Sequence, residues 1–312
     1  MIAFGPISSR RLGKSLGINN IVSHKVCSYS CVYCQIGTTK NKSVTRESFN
    51  NPEKLAKEVE AHIKKLDINH KPDYLTFVAN GEPTLDINLG REIKLLRKFG
   101  FPIAVITNSS IIHLKDLQDD LMEADWISVK VDSTDSNIWQ KVNRPAAGID
   151  FEKILEGLQT FALVYKGKLF TETMLVNGFN DSARLLERNA TFISKLKPQK
   201  AYLSVPIRPP AIKGIKPASE DILLQGWQIY QNAGLVTELL TGFEGTDTGT
   251  TGNVFEDILN ITAVHPLHED SVRRLLEQNK ADNSVIELLV SQGLITGTKY
   301  KGKIYYVRNY HY

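Results

Sequence analysis

The chain has 312 residues and a formal net charge of +4, with 42% hydrophobic and 23% charged residues. These values are close to the averages of globular proteins, so they exclude a disordered or fibrous chain and allow one large and one small domain. No run approaches the ~18 consecutive apolar residues of a membrane helix, and the first residues lack a secretory signal, which together predict a cytoplasmic protein. The mild positive charge permits a nucleic-acid partner without requiring one.

Strand-like and helix-like stretches alternate from about residue 18 to about residue 240, which is typical of an α/β fold with parallel strands. The predicted strands are residues 18–23, 74–79, 101–107, 126–131, 170–176 and 201–205. The predicted helices are residues 52–66, 89–99, 151–165, 182–196 and 220–231. The alternation does not decide between a partial barrel and an open doubly wound sheet. In either fold the active site lies at the carboxyl ends of the strands.

The composition changes after residue 240. Residues 241–253 are rich in Gly and Thr, which predicts a linker between a core domain of residues 1–240 and a small domain of residues 254–312. The small domain has predicted helices at 254–261, 269–278 and 284–291, followed by short strands at 294–296 and 304–307. The turn between these strands carries Lys299, Lys301 and Lys303. Three helices followed by a hairpin predict a winged-helix-like domain.

All three cysteines of the chain lie close together after the first predicted strand. Cys27, Cys31 and Cys34 form an odd, clustered set, which indicates metal binding in a reducing compartment. Thiolates at this density suit an iron–sulfur cluster or zinc. Three cysteines on a cubane [4Fe-4S] cluster leave one iron open for substrate chemistry. The alternative is a structural zinc ion with His24 as its fourth ligand.

The spacing CxxxCxxC, with the aromatic Tyr33 before the last cysteine, resembles the defining motif of the radical S-adenosylmethionine (SAM) superfamily. The resemblance extends over most of residues 1–240. It implies a partial (β/α)6 barrel of radical SAM type, with a [4Fe-4S] cluster on the three cysteines. It also implies SAM as a second cofactor, with Tyr33 among the residues that contact it.

A second motif follows the second predicted strand. Asn80, Gly81, Glu82 and Pro83 resemble the GEP motif of the superfamily, which receives the amino group of SAM. A turn held by Gly81 and Pro83 can aim carbonyl groups inward, and Glu82 adds a negative charge for the ammonium group. Taken alone, the same residues also fit an ordinary turn.

Two later strand ends resemble further cofactor segments of the superfamily. Thr107 and Asn108 resemble the segment near the carboxylate and ribose of SAM. Val176 and Asn177 resemble the segment that packs against adenine. These four residues are therefore expected to contact the cofactor.

The fourth predicted strand carries polar residues at alternate positions. Ser128, Lys130 and Asp132 point to one side because side chains alternate along a strand. Buried polar groups need partners, and a cofactor in the barrel interior would supply them. The alternative is that Ser128 is a hydrogen-bonded core hydroxyl and Asp132 caps the next helix.

Four arginines are candidates for the substrate side of the site. Arg10 and Arg11, and Arg144 within an Asn-Arg-Pro sequence, lie in segments that resemble a subgroup related to the wyosine-tRNA biosynthesis enzymes. Arg208 follows the sixth strand and offers a bidentate contact to a carboxylate or phosphate. Solvated surface arginines are the alternative. The wyosine enzymes hold a second cluster on three additional cysteines, and this chain has no cysteine left to bind one.

These motifs predict an enzyme that reductively cleaves SAM to a 5′-deoxyadenosyl radical, which then abstracts hydrogen from RNA, a peptide or a small metabolite. The predicted partners are an electron donor such as flavodoxin or ferredoxin, and an RNA or protein substrate docked through residues 254–312. No membrane partner is expected. The alternative is a redox-sensing regulator that binds nucleic acid, although such a protein has no use for a GEP motif.

Overall fold

A computed structural model describes residues 2–21, 24–242 and 245–309 of the chain. Its main feature is a curled, half-barrel sheet of eight strands that follow one another in chain order. The strands are β1 Ala3–Ser9, β2 Gly13–Ile18, β3 Tyr74–Phe77, β4 Ile103–Thr107, β5 Trp126–Lys130, β6 Lys168–Met174, β7 Lys200–Ser204 and β8 Thr237–Leu240. β1 is antiparallel to β2, and every later pair is parallel.

Helices connect the parallel strands, as the alternating pattern predicts. They are α1 Pro52–Lys65, α2 Leu89–Leu96, α3 Lys115–Leu121, α4 Ser136–Asn143, α5 Phe151–Val164, α6 Ala183–Lys195 and α7 Glu220–Asn232. The start of α1 is fixed by Asn51, whose side chain accepts a hydrogen bond from the backbone nitrogen of Lys54 at 2.9 Å. The mixed α/β fold of the prediction is therefore confirmed.

The first parallel strand lies earlier in the chain than the predicted residues 18–23. It ends at Ile18, and residues 22 and 23 lie outside the described residues. The side chain of Asn19 accepts hydrogen bonds from the backbone nitrogens of Ile21 and Asn80, at 3.2 and 2.8 Å. An Asn side chain that binds nearby backbone groups competes with strand pairing, so the chain leaves the sheet at this point.

Within the described part of residues 1–240, four elements lie outside the predicted set, namely β1, β8, α3 and α4. β1 contains Gly5 and Pro6, and its pairing with β2 shifts register between Phe4 and Ile7. Gly and Pro both weaken a strand pattern in the sequence. The other three elements have only four to eight residues, so they show few turns of periodicity.

The C-terminal part contains α8 Val254–Thr262, α9 Glu269–Gln278 and α10 Ser284–Ser291, with the short strand β9 Leu267–His268 before α9. The strands β10 Ile295–Tyr300 and β11 Lys303–Arg308 form a hairpin, and β9 pairs with β11. Phe4 of β1 is buried with the apolar residues of these elements. The C-terminal elements therefore pack directly on the edge of the large sheet.

The segment before α8 also contacts that edge, in its described residues 245–253. The backbone nitrogen of Ser8 donates to the carbonyl of Asp247 at 3.2 Å, and that of Gly249 donates to the carbonyl of Pro6 at 2.7 Å. Two positions of the predicted linker, 243 and 244, lie outside the described residues. None of the described helices is long and apolar enough to cross a membrane.

The inside of the curled sheet is filled at one end only. A layer at the amino-terminal ends of the strands contains three stacked aromatic rings, those of Trp126, Phe170 and Tyr202. The ring centroids are 4.8 Å apart in the first pair and 5.6 Å apart in the second. Because this layer closes the lower end, the space that remains inside the sheet lies at the carboxyl ends of the strands.

Candidate active site

A cavity of about 320 Å³ occupies the upper part of the curled sheet. Its lining includes most of the sequence-predicted site residues, namely Arg10, Arg11, Cys27, Cys31, Tyr33, Cys34, Gly81, Glu82, Pro83, Thr107, Asn108, Lys130 and Arg208. The lining does not include Asn80, Ser128, Asp132, Arg144, Val176 or Asn177. The predicted location at the strand ends therefore agrees with where the cavity lies.

The three cysteines lie on one loop, which is held at both sides by backbone contacts. On one side, the nitrogen of Val26 donates to the carbonyl of Asn80 at 3.1 Å. On the other side, the nitrogen of Ser30 donates to the carbonyl of Asn143, at the end of α4, at 3.0 Å. The loop is thus fixed between the GEP turn and α4 before any metal is considered.

All three cysteines are free thiols that line the same cavity. Burial and the nearby Asp132 carboxylate raise the pKa of Cys31 to about 12. Burial and Glu82 raise the pKa of Cys27 as well. Bound metal reverses this preference because its positive charge stabilises the thiolate. The three cysteine sulfurs are therefore soft, enclosed donors, and their thiolate forms require a nearby positive charge.

The same thiols fit a cluster better than a single ion. Among residues 2–21, 24–242 and 245–309, no three His, Cys, Asp or Glu side chains converge as one metal ion requires. The zinc alternative with His24 needs such convergence. A cubane cluster does not, because each thiolate binds a different iron.

The GEP turn approaches the cysteine loop too closely for any residue but glycine. Gly81 has a φ of +136°, and a Cβ there would lie 1.6 Å from the carbonyl oxygen of Val26. Glu82 follows directly, and its nitrogen donates to that same carbonyl at 3.0 Å. Gly81 thus allows the two motifs to pack side by side, which places Glu82 beside the cysteine loop.

Glu82 is only 2% exposed, and neutral donors surround its carboxylate. Oε1 accepts from the hydroxyl groups of Thr84 and Thr107 at 2.7 Å each, and from the nitrogen of Thr84 at 3.2 Å. Oε2 accepts from the nitrogen of Asn108 at 2.7 Å. Burial raises the pKa of Glu82, and these hydrogen bonds oppose the rise. Of the two oxygens, Oε2 retains acceptor capacity for a donor from a ligand.

Asp132 lies behind the cysteine loop instead of in the cavity. Its Oδ2 accepts hydrogen bonds from the hydroxyl of Tyr33 and, at 2.7 Å, from Nδ2 of Asn143. Its Oδ1 accepts from the nitrogen of Met174 at 2.9 Å. The helix cap that the sequence alternative assigned to Asp132 is provided by Asp135, the N-cap of α4.

Ser128 and Lys130 share a side of β5 but have different surroundings. The Ser128 hydroxyl is fully buried and has no hydrogen-bond partner among the described residues, so the alternative of a satisfied core hydroxyl is wrong. Lys130 lines the cavity, and its Nζ lies 5.0 Å from the centre of the Tyr33 ring and 3.1 Å from Oε1 of Glu172. Of this pair, only Lys130 reaches the space where a ligand can bind.

Three other predicted residues lie away from the cavity. Val176 is fully buried beside Val32 and Tyr33, whereas Asn177 is exposed. Arg144 is exposed at the end of α4, where its carbonyl accepts from Ser30 at 3.2 Å. The Asn-Arg-Pro segment therefore supports the cysteine loop through its backbone.

A second group of residues in the cavity lining is rich in charge. Glu172 of β6 forms ion pairs with Arg11 and Lys130, and accepts from the hydroxyl of Ser204 at 2.9 Å. Burial raises the pKa of Glu172, but Arg11 and Lys130 outweigh it and lower the pKa to about 2. Glu172 is absent from the sequence prediction, although an acidic residue inside an apolar strand is a detectable signal.

Arg10 and Arg208 extend this charged side toward the C-terminal elements. Burial and Arg11 lower the pKa of Arg10 to about 10, and burial and Arg10 lower the pKa of Arg208 to about 9. Arg208 donates to Oε1 of Gln35 at 2.7 Å and lies 3.0 Å from Nε2 of His265.

The cavity has two chemically different sides. The cofactor wall comprises the cysteine loop of residues 25–37 together with Gly81, Glu82 and Asn108. The cationic wall comprises Arg10, Arg11, Lys130, Glu172 and Arg208. Among the described lining residues, the cationic wall holds four cations and one carboxylate.

The C-terminal elements form part of the cavity rim. Val264 and His265 line the cavity, and Nε2 of Gln35, next to Cys34, donates to the carbonyl of Val264 at 2.9 Å. The hydroxyl of Tyr300 in β10 donates to the carbonyl of Pro206 at 2.9 Å. The cysteine loop and the strand end that precedes Arg208 therefore both touch the C-terminal elements.

Comparisons with known proteins agree with this geometry. The sequence profile of the Radical SAM superfamily matches residues 21–187, more than half of the chain. UPF0026 protein MJ1312 of Methanocaldococcus jannaschii is 46% identical over 310 residues, which covers 99% of this chain and 96% of that protein.

Solved structures share the fold at low sequence identity. A structure of TYW1 with a lysine-pyruvate adduct bound has a TM-score of 0.56 at 16% identity, covering 71% of this chain and 75% of that chain. Streptococcus suis SuiB bound to S-adenosylmethionine has a TM-score of 0.53 at 12% identity, covering 72% of this chain and 50% of that chain. At these identities the likeness is one of fold alone.

Enzymes of the matched superfamily use a [4Fe-4S] cluster and SAM, and those are the cofactors of this protein. The free thiols and the adjacent buried carboxylate of Glu82 fit both groups. The family match gives no support to the regulator alternative. The chain is therefore an enzyme that belongs to the radical SAM superfamily and, with MJ1312, to the UPF0026 family.

Proposed function

We propose that this enzyme cleaves SAM reductively at a cluster held by Cys27, Cys31 and Cys34, and that the product radical abstracts hydrogen from a substrate bound on the cationic wall. The observation that carries the proposal is that the three thiols and Glu82 line one cavity. When bound, the cluster supplies one electron that breaks the sulfur–C5′ bond of SAM, giving methionine and the 5′-deoxyadenosyl radical. The electron comes from a donor protein such as flavodoxin or ferredoxin.

In this proposal the chain's own residues bind SAM and hold it still. Oε2 of Glu82 accepts the SAM ammonium group, because that oxygen receives only one described hydrogen bond. Thr107 and Asn108 donate hydrogen bonds to the Glu82 carboxylate, and they would contact the carboxylate and ribose of SAM. Tyr33 and Lys130 border the same cavity.

The remaining predicted cofactor residues act from behind the cavity lining in this proposal. Asp132 positions Tyr33, and Asn80 positions the cysteine loop through its bond to Val26. Val176 packs against Tyr33, and Asn177 follows it at the exposed edge of the adenine side. Ser128 lies on the polar face of β5, which continues through Lys130 toward Asp132.

The proposed substrate carries a phosphate or carboxylate group. Arg208 and Arg10 lie close enough for Arg10 to lower the pKa of Arg208. An anion between them relieves this repulsion and accepts bidentate hydrogen bonds. Glu172 already balances Arg11 and Lys130 within the same wall. Arg144, on the outer side of the cysteine loop, extends the basic surface toward a large substrate.

We also propose that residues 254–312 form a winged-helix-like docking domain for an RNA or protein substrate, separate from a core of residues 1–240. The β10–β11 hairpin exposes Lys299, Lys301 and Lys303. The same strands hydrogen-bond to the strand end before Arg208, through Tyr300 and through Tyr305 at 3.2 Å from the carbonyl of Ile207. A substrate held by the hairpin would therefore lie next to the cavity mouth.

The proposed reaction is tested by anaerobic reconstitution with iron and sulfide, reduction in the presence of SAM, and measurement of 5′-deoxyadenosine. Cys31→Ala is expected to abolish this product, because it removes one of the three thiolates that hold the cluster. Leu163→Ala, at an 80% exposed position on α5, serves as the control and is expected to keep full activity. Product formation by Cys31→Ala at the rate of the unmodified enzyme would overturn the ligand assignment.

A further inference from the structure

Each cysteine sulfur in the cavity accepts a hydrogen bond from the side-chain nitrogen of a lysine or asparagine. Nζ of Lys25 lies 3.2 Å from Sγ of Cys34. Nδ2 of Asn143 lies 3.4 Å from Sγ of Cys31. Nδ2 of Asn108 lies 3.5 Å from Sγ of Cys27. Asn108 and Asn143 come from segments distant from the cysteines in the chain, whereas Lys25 belongs to the cysteine loop itself.

The orientation of Asn143 is fixed by its second partner. Its Nδ2 also donates to Oδ2 of Asp132 at 2.7 Å, and a carboxylate oxygen can only accept from it. The amide nitrogen must therefore face both Asp132 and the sulfur of Cys31. The amide oxygen of Asn143 is buried with no hydrogen-bond partner among the described residues. An unsatisfied buried oxygen costs free energy, so the packing keeps this orientation despite that cost.

The orientation of Asn108 is fixed in a similar way. Its Oδ1 accepts from the backbone nitrogen of Ser110 at 2.9 Å, and a backbone nitrogen can only donate. Nδ2 is thereby directed to Cys27 and to the hydroxyl of Ser28, at 3.0 Å. The backbone nitrogen of Asn108 meanwhile binds Glu82. A single residue thus connects the first cysteine to the carboxylate proposed to hold SAM.

Lys25 differs from the two asparagines because it carries a full charge. It is only 9% exposed, and its Nζ donates both to the sulfur of Cys34 and to the carbonyl of Gly37. The contact with Gly37 holds the ammonium against the loop. A buried cation at this distance interacts more strongly with a negative sulfur than an amide does.

We infer that Lys25, Asn108 and Asn143 raise the reduction potential of the bound cluster by stabilising negative charge on its cysteine sulfurs. Reduction adds one electron to the cluster, and the added charge is shared with the thiolates. Donors to those sulfurs therefore stabilise the reduced form more than the oxidised form, and such hydrogen bonds are a known determinant of cluster potential. The inference rests on the cluster assignment of the proposed function, but not on SAM cleavage.

The test is a potentiometric titration of the reconstituted enzyme without SAM. The electron paramagnetic resonance signal of the reduced cluster is measured at each potential. Asn143→Leu and Lys25→Met each remove one donor. We expect each to lower the midpoint potential, with Lys25→Met giving the larger change because it also removes a charge. A tenfold change in the equilibrium constant for one-electron reduction corresponds to about 59 mV. Lys25→Arg is expected to restore most of the shift.

The matched control is Asn189→Leu. Asn189 is a buried asparagine whose Nδ2 donates to the carbonyl of Val131 at 2.9 Å. Like Oδ1 of Asn143, its Oδ1 has no hydrogen-bond partner in the described part of the chain. Its described partners include no cysteine. The control therefore imposes a similar cost on the fold and is expected to leave the potential unchanged.

The outcomes separate this inference from the proposed function. An unchanged potential in Asn143→Leu or Lys25→Met, at the iron content of the unmodified enzyme, would overturn the inference and leave the function standing. If Asn143→Leu loses its iron, Lys25→Met decides the question alone. Failure of the unmodified enzyme to bind iron at all would instead remove the basis of the proposed function.

Discussion

The two walls of the cavity differ in how their charged groups are arranged. In the cofactor wall, neutral donors surround a single buried carboxylate, Glu82, and each cysteine sulfur accepts a side-chain hydrogen bond. The cationic wall combines four cations with one carboxylate, Glu172, which forms ion pairs with Arg11 and Lys130. The first wall is arranged to receive charge from cofactors, whereas the second depends on charge balance within the protein. The two walls are therefore expected to respond differently when a carboxylate is removed.

The largest expected effect is that of Glu172→Gln on stability. The change leaves Arg11 and Lys130 partly buried without their carboxylate, so we expect the free energy of unfolding to fall by about 3–5 kcal/mol. Denaturant unfolding measures it. Glu238→Gln is the control, because Glu238 pairs with Lys200 at the surface and its loss is expected to cost under about 1 kcal/mol. Equal losses in the two variants would show that the cationic wall does not depend on Glu172.

The same variant has a distinct pH dependence. The pKa of Glu172 is about 2 in the folded protein, against an ordinary value of 4.5. Its stabilising contribution is therefore complete above pH 4.5 and is lost as the pH falls from there toward 2. The difference in stability between the unmodified protein and Glu172→Gln should shrink over that range. A difference independent of pH would exclude an ionised Glu172 as its cause.

Glu92, a buried glutamate of α2, gives the opposite prediction. Burial, with a smaller contribution from Asp86, raises the pKa of Glu92 to about 9. The folded protein keeps a proton that the unfolded chain releases, so stability falls as the pH rises from 4.5 toward about 9. Glu92→Gln removes this loss and keeps an acceptor for Nδ2 of Asn20, 3.3 Å from Oε2. We expect the variant to be more stable at pH 7 by about 3 kcal/mol, measured by denaturant unfolding.

The contrasting outcome for Glu92→Gln is also informative. Equal stability of variant and unmodified protein at pH 7 would mean that Glu92 is ionised there with a compensating partner. Glu92 and Glu172 would then both be ionised, and their pKa values would not differ in the way that their surroundings imply. At pH 4, below the unfolded pKa, the two proteins are expected to have similar stability under either outcome, which makes this pH the internal control.

The cofactor wall is the part of the site that the sequence predicts best. The cysteines lie within eight consecutive positions and the GEP residues within four, so local spacing alone carries the resemblance to the superfamily. Local spacing also predicts the alternating strands and helices. It fails at β1, where Gly5 and Pro6 weaken the strand pattern.

Contacts between distant segments explain what the sequence does not predict. Asn143 and Cys31 are 112 positions apart, and Arg11 and Glu172 are 161 positions apart. No periodicity or motif encodes such pairs, since the fold alone brings them together. The Asn-Arg-Pro segment is recognisable in the sequence, which predicts a role for Arg144, but in the structure Asn143 makes the contact with sulfur.

The smallest expected effect is that of Asn177→Ala on SAM binding, and it tests how far the cofactor wall extends. The Asn177 side chain is exposed, and its backbone nitrogen donates to the carbonyl of Lys216 at 3.0 Å, a bond that alanine retains. Exposed substitutions of this kind change free energies by about 0.5 kcal/mol or less, so SAM affinity should change about twofold at most. Isothermal titration of the reconstituted enzyme with SAM measures it.

Val176→Ala is the variant with which Asn177→Ala is compared. Val176 is fully buried against Val32 and Tyr33, so its truncation loosens the packing behind the cavity and should weaken SAM binding more than Asn177→Ala does. The opposite order, with a tenfold loss for Asn177→Ala alone, would mean that Asn177 reaches the adenine directly when SAM binds. The cofactor wall would then include an exposed residue that moves on binding, and would no longer be the rigid, preformed side of the cavity.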